Sequence, residues 1–322
     1  MVYVFGGNGF VGSFLANKLT ELNYEVTCCD LQDSLNARIS NVVKYQKCDI
    51  RDISQIRQIC FQEHDIIVNL AANQYHLKVP KHRKKFFFDT NVVGAENILK
   101  VAFEKGVSRG VFFSSDMVYG QPLYLPVDTK HPQNPIGPYG LSKKLCESIC
   151  RDYRNKGMKI TIFRPRMING PGRLGILKKL FFCIRKGLPV PTIGNGKNHY
   201  QMISVFDCVS AIIQAIEKDF PNKEYNLGSE LSPDITTLLK NTIRKAGSRS
   251  PIIHLPGNIT KKLLSFFDKI GMTIMYPEQF MIADREYVLN IADSQKDLDW
   301  TPQYNDSDML VEAYQNFSGF AK

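Results

Sequence analysis

No two of the eight cysteines in this 322-residue chain form a CxxC pair, and none lies beside a ligand-spaced histidine. That spacing argues against a zinc ribbon or a thioredoxin-like redox pair, and no metal is expected. Cysteines 28, 29, 48, 60, 146, 150, 183 and 208 read instead as small hydrophobes, and reduced thiols fit a cytoplasmic setting. Long apolar runs are missing too: none approaches the roughly 20 residues that a membrane span needs. Val2-Tyr3-Val4-Phe5 runs straight into glycines, so a secretory leader is not expected. There is no internal repeat and no low-complexity tract. The net charge of +10 comes without a recognition motif for nucleic acid, which removes that class of partner. The densest basic stretch, Lys81-His82-Arg83-Lys84-Lys85, reads as a solvated helix start or as an attractor of phosphorylated ligands.

What is present is alternation. With 43% hydrophobic and 22% charged residues the chain is globular, with room for about two domains. Short apolar runs at 2–5, 25–29, 43–46, 65–70, 109–115 and 158–164 suit strands buried on both faces of a parallel sheet. Helical patterns lie between them at 11–23, 54–62, 92–105 and 139–156. The expected fold is therefore α/β: a Rossmann-type doubly wound parallel sheet over residues 1–168, with a smaller mixed α/β domain over 169–322 that binds the substrate. Segments near 200–204 and 223–227 are candidates to return to the main sheet. Further helices are expected at 206–217, 235–246, 260–268 and 307–317. Pro and Gly at 169–175 and 187–196 read as loops.

Gly6-Gly7-Asn8-Gly9-Phe10-Val11-Gly12 joins the first strand to the first helix, with glycines at 6, 9 and 12 in G-x-x-G-x-x-G spacing. Gly6 suits a tight turn, Gly9 a close approach of backbone to a pyrophosphate, and Gly12 a close helix–strand packing. The helix N-terminus offers free N–H groups to phosphates. Asp30 ends the second strand, where a carboxylate accepts both ribose hydroxyls of NAD and repels the extra phosphate of NADP. The expected cofactor is NAD, held by Gly6, Asn8, Gly9, Phe10, Val11, Gly12 and Asp30; an ordinary loop aspartate is the alternative for Asp30.

Pro138-Tyr139-Gly140-Leu141-Ser142-Lys143 opens a helix on which Tyr139 and Lys143, four apart, share a face. An ammonium beside a phenol, with an oxidised nicotinamide near it, stabilises the phenolate and makes it a usable base. Tyr139 is then the acid/base, and Lys143 also holds the nicotinamide ribose. Ser115 ends the expected strand Gly110-Val111-Phe112-Phe113-Ser114-Ser115 at the C-terminal sheet edge, where its hydroxyl can bond a developing alkoxide or carbonyl.

These segments resemble the extended short-chain dehydrogenase/reductases, the NAD-dependent epimerase/dehydratase family. The resemblance is carried by Gly6–Gly12, Asp49-Ile50-Arg51-Asp52, Asn69-Leu70-Ala71-Ala72 and Thr90-Asn91-Val92-Val93-Gly94. It continues through Ser114-Ser115-Asp116-Met117-Val118-Tyr119-Gly120, the Tyr139/Lys143 helix, and Arg164-Pro165 with Gly170-Pro171-Gly172. Weaker matches follow at Ser204-Val205-Phe206-Asp207, Tyr225-Asn226-Leu227-Gly228 and Leu298-Asp299-Trp300-Thr301-Pro302. It implies that Asp49 and Ile50 flank the adenine, that Leu70, Ala71 and Ala72 line the cofactor, and that Asn91 supports the active-site helix. It also implies a nucleotide-activated sugar as substrate, and a homodimer paired through 92–105 and 139–156.

The reaction depends on a few positions. The family's 4,6-dehydratases carry Thr-Asp-Glu before Val-Tyr-Gly; here the three are Ser115, Asp116 and Met117. Asp116 can still serve as an acid, but a thioether cannot abstract a proton. Epimerisation at C4 asks the fewest extra residues and ranks first. Ketoreduction and dehydration are the alternatives, and a non-catalytic NAD-binding subunit or sensor is the alternative from another class. Met117, Arg166, Asn169 and Arg173 are the candidate substrate residues. Two departures bear on the nucleotide sugar: Met167 stands where many members have an asparagine, and His199-Tyr200-Gln201 where many have an arginine. Phe5 also replaces the usual threonine before the glycines. Finally, Leu263-Leu264-Ser265-Phe266-Phe267 is amphipathic; a core-facing helix is the expected reading, with a membrane-surface role the alternative.

Overall fold

The structure, a computed structural model, describes residues 1–319 except 76–78, 81, 173 and 176. Residues of the apolar runs form strands β1 (Val2–Phe5), β2 (Val26–Asp30), β3 (Lys44–Lys47), β4 (Ile66–Asn69), β5 (Arg109–Phe113) and β6 (Lys159–Pro165). Between them lie α1 (Phe10–Glu21), α2 (Ile53–Arg57), α3 (Arg83–Phe88), α4 (Ala95–Glu104) and α5 (Pro138–Asn155). The later half adds β7 (Met167–Asn169), α6 (Leu177–Lys186), β8 (Val190–Ile193), β9 (Met202–Ser204), α7 (Val205–Glu217) and β10 (Glu224–Leu227). It closes with α8 (Ile235–Lys245), β11 (Ile252–Leu255), α9 (Gly257–Lys269), α10 (Pro277–Phe280), α11 (Ala292–Leu298) and α12 (Asp306–Gly319).

Seven strands form one sheet in the order β10-β6-β5-β4-β1-β2-β3, every pair parallel. Strands β1, β4 and β6 are buried on both faces because helices cover both. On one face α1 and α7 bury Leu15, Leu19, Ile212 and Ala215; on the other, α4 and α5 bury Ile98, Leu99, Cys146 and Cys150. The chain order reverses direction between β1 and β4, which opens a crevice at the carboxyl edge.

Of the two segments considered for return, 223–227 joins the sheet as β10 beside β6, whereas 200–204 does not: β9 pairs with β7 in a separate two-stranded sheet. Residues 190–193, read as loop, form β8 against β11, because alternate side chains, Val190 and Thr192, are buried. The helix expected at 92–105 is preceded by a π-helical stretch, Asp89–Gly94, continuous with α3. A further cluster, built from Phe181, Ile184, Leu238, Leu239, Met309, Leu310 and Tyr314, packs α6, α8 and α12 together. The core-facing reading of 263–267 is overturned: α9 buries none of its residues, and Leu263 and Phe266 are exposed. Six of the cysteines are buried, Cys60 is exposed and Cys183 is half-buried; none forms a disulfide among the described residues.

Candidate active site

The crevice is a cleft of about 620 Å³ at the carboxyl edge of β1, β2, β4 and β5. Its floor is the glycine turn. Gly6 has φ +78, and a Cβ there would lie 2.7 Å from the Ala71 nitrogen. A Cβ on Gly12 would lie 2.2 Å from the Gly6 carbonyl oxygen, and one on Gly9 2.9 Å from the same atom. The three glycines thus let the turn coil on itself, and all three face the cleft. Gly7, not singled out from the sequence, is as constrained: its Cβ would meet the Cys28 sulfur at 2.5 Å. Asn8 is buried behind the turn; its amide donates to Gln32 (2.7 Å) and to the Ser34 carbonyl (2.8 Å).

Asp30 ends β2 at the rim. Its carboxylate accepts the N–H of Asn8 at 3.0 Å and of Leu31 at 2.8 Å, while burial raises its pKa. Phe10, Val11, Asp49, Ile50, Leu70, Ala71 and Ala72 line the same cleft, with the Asp49 carboxylate turned to Arg51 at 2.6 Å. Asn91 does not line it. Within the π-helical stretch, its side chain accepts from the Asn73 nitrogen (2.8 Å) and donates to the Ser142 hydroxyl (2.9 Å). It clips the loop after β4 to α5, a supporting position.

Ser115, Tyr139 and Lys143 line the far half of the cleft together. Lys143 is buried against the sheet end, donating to the Phe113 carbonyl at 2.7 Å, and burial pushes its pKa down. The Ser115 hydroxyl accepts the Met117 N–H (3.2 Å) and donates to Asp116 (3.1 Å), capping a single 3₁₀ turn, Asp116–Val118. Gly140 is required here, because its Cβ would come within 2.4 Å of the Met117 carbonyl oxygen. The buried Tyr139 ring meets Phe87 and Tyr75 edge-on, at centroid distances of 5.7 and 5.8 Å.

The α5 N-terminus holds a feature that sequence reasoning missed. Its N-cap is Gly137, with no side chain to cap, and Pro138 has no N–H. The buried Glu278 on α10 supplies the acceptors, taking the N–H of Tyr139 at 2.9 Å and of Gly140 at 3.1 Å. The Tyr75 hydroxyl also donates to it at 2.6 Å, and the Tyr75 ring stacks on Tyr276 at 4.3 Å. A Cβ on Gly137 would sit 2.2 Å from the carboxylate, so glycine is needed there. Nothing in the pattern Tyr276-Pro277-Glu278-Gln279 ties it to a residue 139 positions earlier.

Asp116 and Arg166 form a buried ion pair. The guanidinium lies between the Tyr200 and Tyr287 rings, 4.5 and 4.1 Å from their centroids, and its Nε donates to the Gln201 carbonyl at 3.1 Å. Its Nη2 has no hydrogen-bond partner among the described residues. Met117, Arg166, Met167, Asn169 and Tyr200 all line the cleft, whereas Arg173 lies outside the described residues. Asn169 is buried and its side-chain oxygen accepts the Gly170 N–H at 2.9 Å.

A strand–glycine turn–helix with a tyrosine, lysine and serine at one sheet edge agrees with the comparisons. The profile of the NAD dependent epimerase/dehydratase family matches residues 2–228. The chain belongs to this family. It is an NAD-dependent enzyme of the extended short-chain dehydrogenase/reductase type. A Methanocaldococcus jannaschii protein provisionally named a UDP-glucose 4-epimerase is 30% identical, covering 79% of this chain and 85% of its own. An Escherichia coli O157:H7 N-acetyl-alpha-D-glucosaminyl-diphospho-ditrans,octacis-undecaprenol 4-epimerase is 28% identical, covering 79% and 75%. The solved UDP-glucose 4-epimerase of Thermotoga maritima superposes with a TM-score of 0.81 at 22% identity, covering 100% of this chain and 99% of that one.

The residues present fit the family's cofactor. The glycine cradle leaves no volume for a Cβ yet exposes the α1 N-terminus, and a carboxylate stands at the end of β2. No helix among the described residues is long and apolar enough to cross a membrane.

Proposed function

We propose that the chain is a nucleotide-sugar 4-epimerase. The carrying observation is that Ser115, Tyr139 and Lys143 share one cleft with the glycine turn while Met117, beside them, offers no base. Gly6, Gly9, Gly12 and the α1 N-terminus would hold the pyrophosphate of NAD, Asp30 its adenosine ribose, and Lys143 its nicotinamide ribose. Bound there, NAD supplies a hydride acceptor that returns the hydride later. Tyr139 takes the proton of the sugar hydroxyl, and Ser115 bonds the same oxygen as it becomes a carbonyl. Returning the proton from Tyr139 after the ketone has turned over gives the epimer. Asp116 is committed to Arg166, which disfavours its use as the acid of a dehydration. Arg166, which lines the cleft, and Asn169 are assigned to the substrate, in a smaller domain around β7–β9 and α6. Arg173, in the adjoining glycine-rich segment, completes that assignment.

The test is incubation with UDP- and dTDP-hexoses, reading C4 epimers by NMR. Epimer formation with no net change in NADH supports the proposal. Stoichiometric NADH consumption with a 4-keto sugar would show a reductase, and inertness with bound NAD a non-catalytic subunit.

A further inference from the structure

Helix α9 is amphipathic yet contributes nothing to the core. Ile259, Leu263, Phe266 and Ile270 recur at i, i+4, i+7 and i+11, which puts them on one side of the helix and its end. At least half of each side chain is exposed, and Met272 and Ile274 in the following loop are equally bare. On the other side, Lys261 donates to the Met281 carbonyl at 3.0 Å and pairs with Asp284, fixing the helix beside α10. Six exposed apolar side chains on one short stretch mark a contact surface rather than ordinary scatter.

The charges beside this stripe are of one sign. Asp268, the only carboxylate between 257 and 276, is taken by Arg83 at 2.6 Å. Lys262 and Lys269 are exposed and have no ion-pair partner among the described residues. The stripe also runs into the cleft: Ile274, Met275 and Tyr276 line its mouth, where Lys179 donates to the Ile274 carbonyl at 3.2 Å.

We propose that α9 and the loop to Ile274 dock this protein on an anionic lipid surface. The helix lies in the plane of the interface, with its apolar stripe among the acyl chains and Lys262 and Lys269 at the headgroups. Charge selects this occupant over a second copy of the chain. A two-fold contact through this stripe would bring the lysine-bearing flanks of two chains, each of net charge +10, into one interface. Acidic headgroups turn that repulsion into attraction. Docked in this way, the cleft mouth faces the membrane, so sugars carried at the lipid surface have direct access to it. The proposal stands apart from the chemistry of the cleft and is tested without it.

The experiment is flotation of the full chain with phosphatidylglycerol/phosphatidylcholine vesicles and with phosphatidylcholine alone. The wild type should float with the anionic vesicles. The double variant Leu263→Glu/Phe266→Glu should lose partitioning on the order of 100-fold. Lys262→Glu/Lys269→Glu should lose about five-fold or more per position. Circular dichroism should show both variants folded, since all four positions are exposed. Equal flotation of wild type and Leu263→Glu/Phe266→Glu overturns the proposal. So does a failure of the wild type to float, whether or not sedimentation velocity shows a dimer that the same variant dissolves.

Discussion

The Glu278 carboxylate accepts the backbone N–H of Tyr139 at 2.9 Å, from an element 139 residues away. It caps the helix that carries the proposed acid/base and also takes the hydroxyl of Tyr75, whose ring rests on Tyr139. Glu278 is thus a positioning residue. Glu278→Ala leaves buried donors unsatisfied and should cost about 2–4 kcal/mol of stability. It should lower kcat about ten-fold or more by shifting the phenol, with NAD affinity little changed. Glu278→Gln, which keeps an acceptor, should recover much of kcat; equal loss in both variants argues against positioning.

Tyr139→Phe removes the proton carrier while keeping the ring against Phe87 and Tyr75. Turnover on the true substrate should fall by about 10²–10⁴-fold. NAD binding, read by isothermal titration, should survive. Undiminished turnover would remove Tyr139 from the mechanism.

Two buried carboxylates, Glu147 on α5 and Glu278 at its N-terminus, have pKa values shifted in opposite directions. Burial opposes the charge on Glu147, but Arg164, with Ser114 and Gln133, holds its carboxyl below the ordinary value of 4.5. Its stabilising contribution is present above about pH 4.5 and is lost as pH falls through the lowered value. For Glu278 burial outweighs the hydrogen bonds from Tyr75, Tyr139 and Gly140 and raises the pKa. Its contribution is present below pH 4.5 and is lost as pH rises through the raised value. Urea midpoints measured between about pH 3 and 7 should show this. Glu147→Gln should blunt the acid-side fall, and Glu278→Gln should flatten the decline above 4.5.

Asp30 should set cofactor choice. Its carboxylate stands at the end of β2 and lines the cleft, held by the Asn8 and Leu31 amides. Titration should show NAD bound on the order of ten-fold more tightly than NADP. Asp30→Ala should weaken NAD and narrow the gap; tighter NADP binding to the wild type would refute the assignment.

The sequence by itself determined the sheet and the glycine-turn half of the cleft. Both depend on local pattern. Strands buried on both faces must be apolar throughout, and a turn with carbonyls 2–3 Å from any Cβ must be glycine, so the signal lies in consecutive residues. The pairing of Tyr139 with Lys143 is equally local, one helical turn. Only the tertiary structure decided which residues surround them. Glu278 reaches Tyr139, and Tyr200 and Tyr287 enclose Arg166, through contacts between distant segments that no periodicity records. The same holds for α9. Its apolar stripe reads like a core helix, because a pattern gives the side that is hydrophobic but not what covers it. Here the fold packs the other side and leaves Leu263 and Phe266 bare.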